Sequence, residues 1–380
     1  MKATRPPDPA ASPLPDAGWK RRFRQRLTRW FSTHARELPW RQTTDPYAIW
    51  VSEIMLQQTQ VVTVLEYYRR FMAEFPTVVE LAAADEAAVL RQWEGLGYYR
   101  RARQMHQAAR VLVEEHGGRF PREWDSIRAL PGVGRYTAGA IASIAWNARR
   151  PILEANTIRL FARLLAYRED PRRAAGERLL WEFAEQLLPR NEVGRFNQAL
   201  MELGSLICTP RAPNCSQCPV QRLCPTRAAG LQEEIPAESR KMVYQQVREA
   251  AVIIRRDGQV LLRRCGPQER WAGLWDFPRF VVHSRTAPDL AFEAATQVAE
   301  LTGQRIRLGR RLTSMKHGVT RFRITLICHE AEWLGGPAAA DLCWLNPPQL
   351  ADYPLSVTGR KLSKLLSPEP PADAEDPARR

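Results

Sequence analysis

Four cysteines crowd into the short stretch Cys208-x6-Cys215-x2-Cys218-x5-Cys224. Thiolates at that spacing can wrap one soft metal centre, either a zinc ion or an iron–sulfur cluster. Only Cys215 and Cys218 form the close pair that zinc loops commonly repeat. Four unrelated buried thiols fit poorly with a polar loop punctuated by Pro210, Pro213, Pro219 and Pro225. A second chemistry-bearing stretch is Leu130-Pro131-Gly132-Val133-Gly134, running into Arg135-Tyr136-Thr137-Ala138. A Gly-rich turn before a helix aims backbone N–H groups outward and can hold a phosphate, although a plain αα-hairpin reads the same way. The third is Glu53, within Trp50–Gln60. A carboxyl on an otherwise apolar and amide-rich helix is desolvated, which raises its pKa toward the range of a general acid; the competing reading is a surface or capping glutamate. The fourth is Glu154-Ala155-Asn156-Thr157, after the apolar run Pro151–Leu153, where an acid precedes a helix and equally suits an N-cap.

The elements that must position these groups fall into two halves. From about Trp19 to Leu206 apolar residues recur at three- and four-residue spacing, with breaks at Pro39, Pro46, Pro76, Pro121, Pro131 and Pro189. Helical runs are expected over Ile49–Phe71, Ala87–Trp93, Ala102–Glu115, Thr137–Ala145 and Gly176–Leu188. The character then changes. Glu249–Arg255 and Gln259–Arg264 are β-rich and flank Asp257-Gly258, a hairpin signal. Phe277–Val282 and Arg321–Cys328 read as further strands and Leu290–Leu301 as a helix. The fold class expected is therefore a multidomain chain, all-α and then α/β. The domains are a disordered leader (1–18), a helical domain (19–225), a linker (226–246), a small mixed domain (247–365) and a disordered tail (366–380).

The chain has 380 residues and a net charge of +15. Both halves are basic, which favours a polyanionic partner, although arginines written at solvated positions would give the same balance. No apolar run is long enough to span a bilayer, and the N-terminus lacks the apolar core of a signal peptide. An odd cysteine count argues against a secreted disulfide framework.

Taken together these segments resemble the helix-hairpin-helix DNA glycosylases that carry an iron–sulfur loop, and most closely the adenine-excising branch. The resemblance runs from about residue 21 to 355. It rests on LPWR (38–41), WVSEIMLQQTQV (50–61), GLGYYRRAR (95–103), LPGVGRYTAGAI (130–141), FNQALMELG (196–204), the four-Cys loop and AGLWDFP (272–278). It implies a helix-hairpin-helix glycosylase domain with a 4Fe–4S cluster on Cys208, Cys215, Cys218 and Cys224, followed by a Nudix-like domain. The activity implied is base-excision repair: removal of adenine mispaired with 8-oxoguanine or guanine in double-stranded DNA. A cytoplasmic bacterial monomer, bound to the nucleoid through DNA and with no membrane, is the setting it implies.

Carried over by position, the resemblance makes Glu53 the acid that protonates adenine and later activates water, and Glu154 the second carboxylate. The family's Asp-Gly-Asn reads Glu154-Ala155-Asn156 here, so the charge sits on a longer arm. Tyr136 stands where strand-cleaving relatives carry a lysine nucleophile, and residues 21–240 contain no lysine at all. A monofunctional glycosylase is therefore implied, with an endonuclease III-like enzyme or a catalytically weakened mismatch-binding protein as the alternatives. Trp40, Arg41, Leu56 and Gln198 match the pocket for the extruded base. Gln58 and Tyr98 match residues that wedge the stack, and Gly132 and Gly134 those that hold phosphate. In the C-terminal domain the family's His-x-Phe-Ser-His loop corresponds to His317-Gly318-Val319-Thr320-Arg321, which makes His317, Thr320 and Arg321 the readers of the opposite base. The Nudix helix keeps only Glu300 of its metal-binding acids, which implies a reader and no hydrolase.

Overall fold

The structure is a computed structural model and describes residues 14–237 and 243–366. Of the leader (1–18) and tail (366–380) expected to be disordered, residues 1–13 and 367–380 lie outside the described residues, as do residues 238–242 of the linker, whereas Asp16 caps a helix that starts at Ala17, so the end of the leader belongs to the helical unit. Internal contacts divide the chain into two units, Met1–Ala82 with Gln107–Lys241, and Ala83–His106 with Met242–Arg380.

The helices are α1 (Ala17–His34), α2 (Pro46–Leu56), α3 (Val61–Glu74), α4 (Val78–Ala83), α5 (Glu86–Trp93), α6 (Arg100–His116), α7 (Trp124–Ala129), α8 (Arg135–Trp146), α9 (Ala155–Leu164), α10 (Ala174–Leu187), α11 (Val193–Leu206), α12 (Pro225–Ala228), α13 (Ala287–Thr302) and α14 (Val357–Lys364). The strands are β1 (Gln245–Arg256), β2 (Gln259–Arg264), β3 (Trp275–Asp276), β4 (Arg279–Val281), β5 (Arg305–Val319), β6 (Phe322–Gly335) and β7 (Leu342–Leu345).

The first unit is helical. α1 is an amphipathic helix, capped by Asp16 through Trp19 N at 2.7 Å, that buries Phe23, Leu27, Trp30 and Phe31. α2 differs. Asp45 caps it, Pro46 opens it, and every residue from Tyr47 to Met55 is buried. A helix apolar on all sides belongs at the centre of a domain, and this one carries Glu53 inside with it. α8 is likewise buried from Thr137 to Ser143. Small residues let it pack tightly: a Cβ on Gly139 would meet Pro151 O at 2.4 Å.

The second unit holds a seven-stranded mixed sheet in the order β3-β2-β1-β6-β5, with β4 paired to β1 and β7 to β2. β1 lies parallel to β6 and antiparallel to β2 and β4. Side chains alternate between two faces. Ala251 and Ile253 join Leu362 of α14 in one apolar core, while Ala250, Val252 and Ile254 join Ala294 and Val298 of α13 in the other. The Asp257-Gly258 turn is a two-residue hairpin with φ of 50° and 80°, as its sequence predicts.

Two expectations change. Ile49–Phe71 is not one helix: α2 stops at Leu56 and α3 starts at Val61, because Gln58 adopts a left-handed φ of 57°. Residues 305–319, for which the sequence offered no strand, form the long edge strand β5. Its alternation is interrupted by bulges between Leu308 and Thr313, which hide the two-residue period.

Candidate active site and cysteine loop

The helical unit encloses a pocket of about 710 Å³. Glu53, Tyr136, Glu154, Trp40, Arg41, Leu56, Gln58 and Gln198 all line it. Eight residues singled out from five separate segments thus meet in one cavity of the size that accepts a small organic ligand.

Glu53 is 4% exposed. The Tyr136 hydroxyl donates to its Oε2 at 2.6 Å. Burial pushes the Glu53 carboxyl up to about 7; the Tyr136 hydrogen bond opposes the shift, the Glu154 charge adds to it, and Arg41 works against it. Burial and the two carboxylates push the Tyr136 hydroxyl well above its ordinary range, so it stays a proton donor in the hydrogen bond.

Glu154 caps α9. Its carboxylate accepts from Asn156 N at 2.8 Å and Thr157 N at 2.9 Å, and the Thr157 hydroxyl accepts from Glu154 N at 2.8 Å, which completes a capping box. The capping reading holds, and the capping residue also lines the pocket. Burial raises its pKa, and the two backbone N–H groups pull against that rise.

Arg41 does not stand free in the pocket. It grips Glu202 through two bonds of 3.0 and 2.8 Å, and Arg36 grips the same carboxylate at 3.0 and 2.6 Å. Burial works to raise the Glu202 pKa, but the Arg41 and Arg36 guanidiniums outweigh it and hold the carboxyl at about 2. Sequence reasoning overlooked Arg36 and Glu202. The available signal was the FNQALMELG segment, where Glu202 stands four residues after Gln198 and so on the same helix face. Arg159 was overlooked as well. Its guanidinium reaches Asn156 Oδ1 at 2.8 Å, Gly204 O at 2.7 Å and Cys208 O at 2.7 Å, joining the start of α9 to the cysteine loop.

Gly132 and Gly134 lie in the turn that opens α8. Gly132 has a φ of 76°, and a Cβ on Gly134 would meet nothing within 4 Å, so no internal crowding demands glycine there. The remaining candidates lie in the other unit. Tyr98 is in the α5–α6 loop, 48% exposed and with a φ of 49°. Thr320 and Arg321 form the two-residue β5–β6 turn, and His317 is on β5 with both ring nitrogens buried.

Cys208, Cys215, Cys218 and Cys224 surround a second, small cavity together with Arg163 and Gln232. Arg163 donates to Cys208 Sγ at 3.3 Å and ties down the loop carbonyls of Thr209 and Pro210. Among the described residues no three ligands are grouped tightly enough for one metal ion.

Residues 51–186 match the model of the HhH-GPD superfamily base excision DNA repair proteins, and residues 249–365 match the NUDIX domain. The human adenine DNA glycosylase is 41% identical over 292 residues, covering 74% of this chain and 52% of the human protein. The adenine DNA glycosylase of Buchnera aphidicola subsp. Acyrthosiphon pisum is 34% identical over 259 residues, covering 68% of this chain and 74% of that protein. The chain spans 41 to 55% of the length of the human, rat and mouse relatives. Among solved structures, a thermostable thymine-DNA glycosylase superposes with a TM-score of 0.52 at 30% identity, covering 56% of this chain and 98% of the other. An endonuclease III–DNA complex gives 0.50 at 20% identity, covering 58% of this chain and all of that one, and shares the fold.

Proposed function

We propose that this chain, which belongs to the adenine DNA glycosylase family, removes adenine from duplex DNA by hydrolysis, at sites where adenine is mispaired with 8-oxoguanine or guanine. The observation that carries the reading is Glu53: a buried carboxyl with a pKa of about 7 in a pocket roomy enough for an extruded nucleotide, hydrogen-bonded to a tyrosine and within electrostatic reach of a second acid.

A stacked base is out of reach, so adenine must swing into the pocket. Protonated Glu53 donates to a ring nitrogen of the base, which makes it a better leaving group. As the glycosidic bond breaks, the sugar gains positive charge, and the Glu53 and Glu154 carboxylates stabilise it in a desolvated site. Glu53, now ionised, takes a proton from the attacking water. Trp40 and Leu56 exclude solvent, and Gln198 with the Arg41–Glu202 pair offers polar edges to the base. Among the described residues no lysine lines the pocket to offer an amine for covalent attack. Residues 21–240 have no lysine, and the Lys20 ammonium is bound by Gln186. Base release without strand scission follows. The Gly132–Gly134 turn takes a phosphate, and His317, Thr320 and Arg321 are assigned to reading the opposite base.

We further infer that the four cysteines hold a 4Fe–4S cluster. Four thiols around a shared space suit a polynuclear centre, which when bound supplies a rigid staple for the loop. Iron content with broad visible absorbance in the purified protein checks this assignment.

One assay tests the main reading. Purified protein is incubated with duplexes carrying A:8-oxoguanine, A:G or thymine glycol, and half of each sample is then treated with alkali. Breakage of the adenine strand only after alkali is expected. Nicking without alkali identifies a lyase, and bound but intact DNA identifies a mismatch-binding protein.

A further inference from the structure

The loop that carries Tyr98 is strained and anchored from far along the chain. Gly95, Gly97 and Tyr98 have φ of 103°, 71° and 49°. The left-handed region suits glycine and opposes a tyrosine, so the surroundings must impose it. Trp93 Nε1 donates to Gly97 O at 3.1 Å, and Arg101 Nη2 donates to the same carbonyl at 3.2 Å. The Arg101 guanidinium lies over the Trp93 and Tyr98 rings, 5.3 and 5.4 Å from their centroids. The Tyr98 ring, half exposed and backed by a cation, is a stacking platform.

The residue that opens the loop is held by the C-terminal segment of the same unit. Glu94 accepts from Arg360 Nε at 2.6 Å, Arg360 Nη2 at 2.9 Å and Leu355 N at 3.2 Å. The remaining donors of Arg360 go to Leu350 O and Tyr353 O, each at 2.7 Å. The two side chains are 8% and 19% exposed. At the far end of the loop, the Tyr99 hydroxyl accepts from Gly95 N at 3.3 Å. Glu94 therefore has one well-made place to be. Arg91, at 3.6 Å and largely exposed, is the weaker of its two cations, so without Arg360 the carboxylate would lose its two short charge-assisted bonds and the hold on Gly95 beside it would loosen.

We propose that Arg360 is a positioning residue for Tyr98: by clamping Glu94 it fixes the Gly95–Tyr99 loop in the strained form that presents the Tyr98 ring to a DNA base stack. This rests on the reading of the chain as a DNA glycosylase. The clamp adds a role that Arg360, some 260 residues away in sequence, would not otherwise have.

The test uses the full chain with Arg360→Met, which keeps the apolar stem, and Arg360→Lys. Hydrogen exchange without DNA reads the loop, equilibrium binding to an A:G duplex reads the platform, and single-turnover release at saturating protein reads the chemistry. Arg360→Met is expected to speed exchange at residues 96–101 about tenfold and weaken duplex binding about tenfold, with the saturated rate within about twofold. Exchange at Val252–Ile254 stays slow, Arg360→Lys recovers part of both losses, and adding Tyr98→Ala to Arg360→Met weakens binding no further. Unchanged loop exchange overturns the clamp. Faster loop exchange with unchanged duplex affinity overturns its purpose. Should Arg360→Met loosen β1 as well, Glu94→Gln is scored by the same two readouts. A wild-type protein that binds the duplex but releases no adenine refutes the glycosylase reading alone, since exchange and affinity still report on the clamp.

Discussion

In the helical unit Glu53 is buried and Glu154 half-buried, and among the described residues no guanidinium is hydrogen-bonded to either. In the sheet unit Glu249 is buried against Arg270 at 2.8 Å and Arg279 at 3.1 Å. Asp276 beside it is held by Ser356 at 2.8 Å, with Arg279 at 3.5 Å. The same residue type is thus buried in two ways. Placed within ion-pair distance of guanidiniums, the sheet-unit acids brace the fold, although burial still raises the Asp276 pKa. Glu53, given mainly desolvation and a neutral donor, is pushed up to about 7 and becomes an acid that can give its proton away. Glu202 crosses the divide, since it borders the reactive pair yet is clamped by Arg36 and Arg41.

The sharpest way to break the contrast is Glu53→Gln. The amide keeps the shape and can still accept from Tyr136, but it has no acidic proton. Single-turnover adenine release should fall about a thousandfold or more, while gel-shift affinity for the duplex persists. The same change should stabilise the fold in alkali. The folded pKa is about 7 against an ordinary 4.5, so the native state binds the extra proton between those values. Stability then declines as pH rises through that window. The glutamine variant escapes the decline, so its melting temperature should exceed that of wild type at pH 8 and match it at pH 4.

Glu202→Gln should behave in the opposite sense. It strands two guanidiniums and is expected to lower stability by about 3 kcal/mol at pH 7, measured by urea unfolding. The Glu202 pKa is held at about 2, so its contribution is present above the ordinary carboxyl range and is lost as pH falls toward 2. The gap between variant and wild type closes along the same course. A variant as stable as wild type at pH 7 would mean that clamping is not what distinguishes these acids.

A smaller effect is the pH dependence of wild-type excision. With Glu53 required as the acid, the rate should fall about tenfold per unit above pH 7 and level off below it. Tyr136→Phe removes the hydrogen bond that holds the Glu53 pKa down, so the alkaline limb should move to higher pH. A limb that stays in place would assign it to another group.

Much of this arrangement was legible because it is local. Glu53 sits in a mostly apolar and amide-rich segment, a pattern that points to a desolvated carboxyl but leaves a surface or capping glutamate open until the fold buries it. The cap at Glu154 is written in four consecutive residues. The Glu202 clamp was not legible, because its cations arrive from 161 and 166 residues away and only the fold brings them together. The break after α2 was equally hidden. Gln58 turns left-handed with no glycine or proline to mark it, and the apolar spacing runs on through it. β5 escaped for a third reason: its exposed positions are filled by arginine, glycine, serine and lysine, and its bulges shift the alternation midway.

The finest test of the comparison is Glu154→Asp. Both carboxylate oxygens of Glu154 are engaged by N–H groups of α9, at 2.8 and 2.9 Å, and aspartate is at least as good a cap. The charge would survive and the cap would survive, while one methylene would go. If Glu154 acts mainly through its charge, which raises the Glu53 pKa and steadies the cationic sugar across the pocket, the release rate should change by less than about threefold. Thermal stability should shift by no more than about 0.5 kcal/mol. A rate loss beyond about tenfold with stability unchanged would show that the longer arm is needed for contact with the sugar. Glu154 would then be a positioned catalytic group in its own right, set apart from the clamped acids of the sheet unit by its reach as well as by having no guanidinium hydrogen-bonded to it.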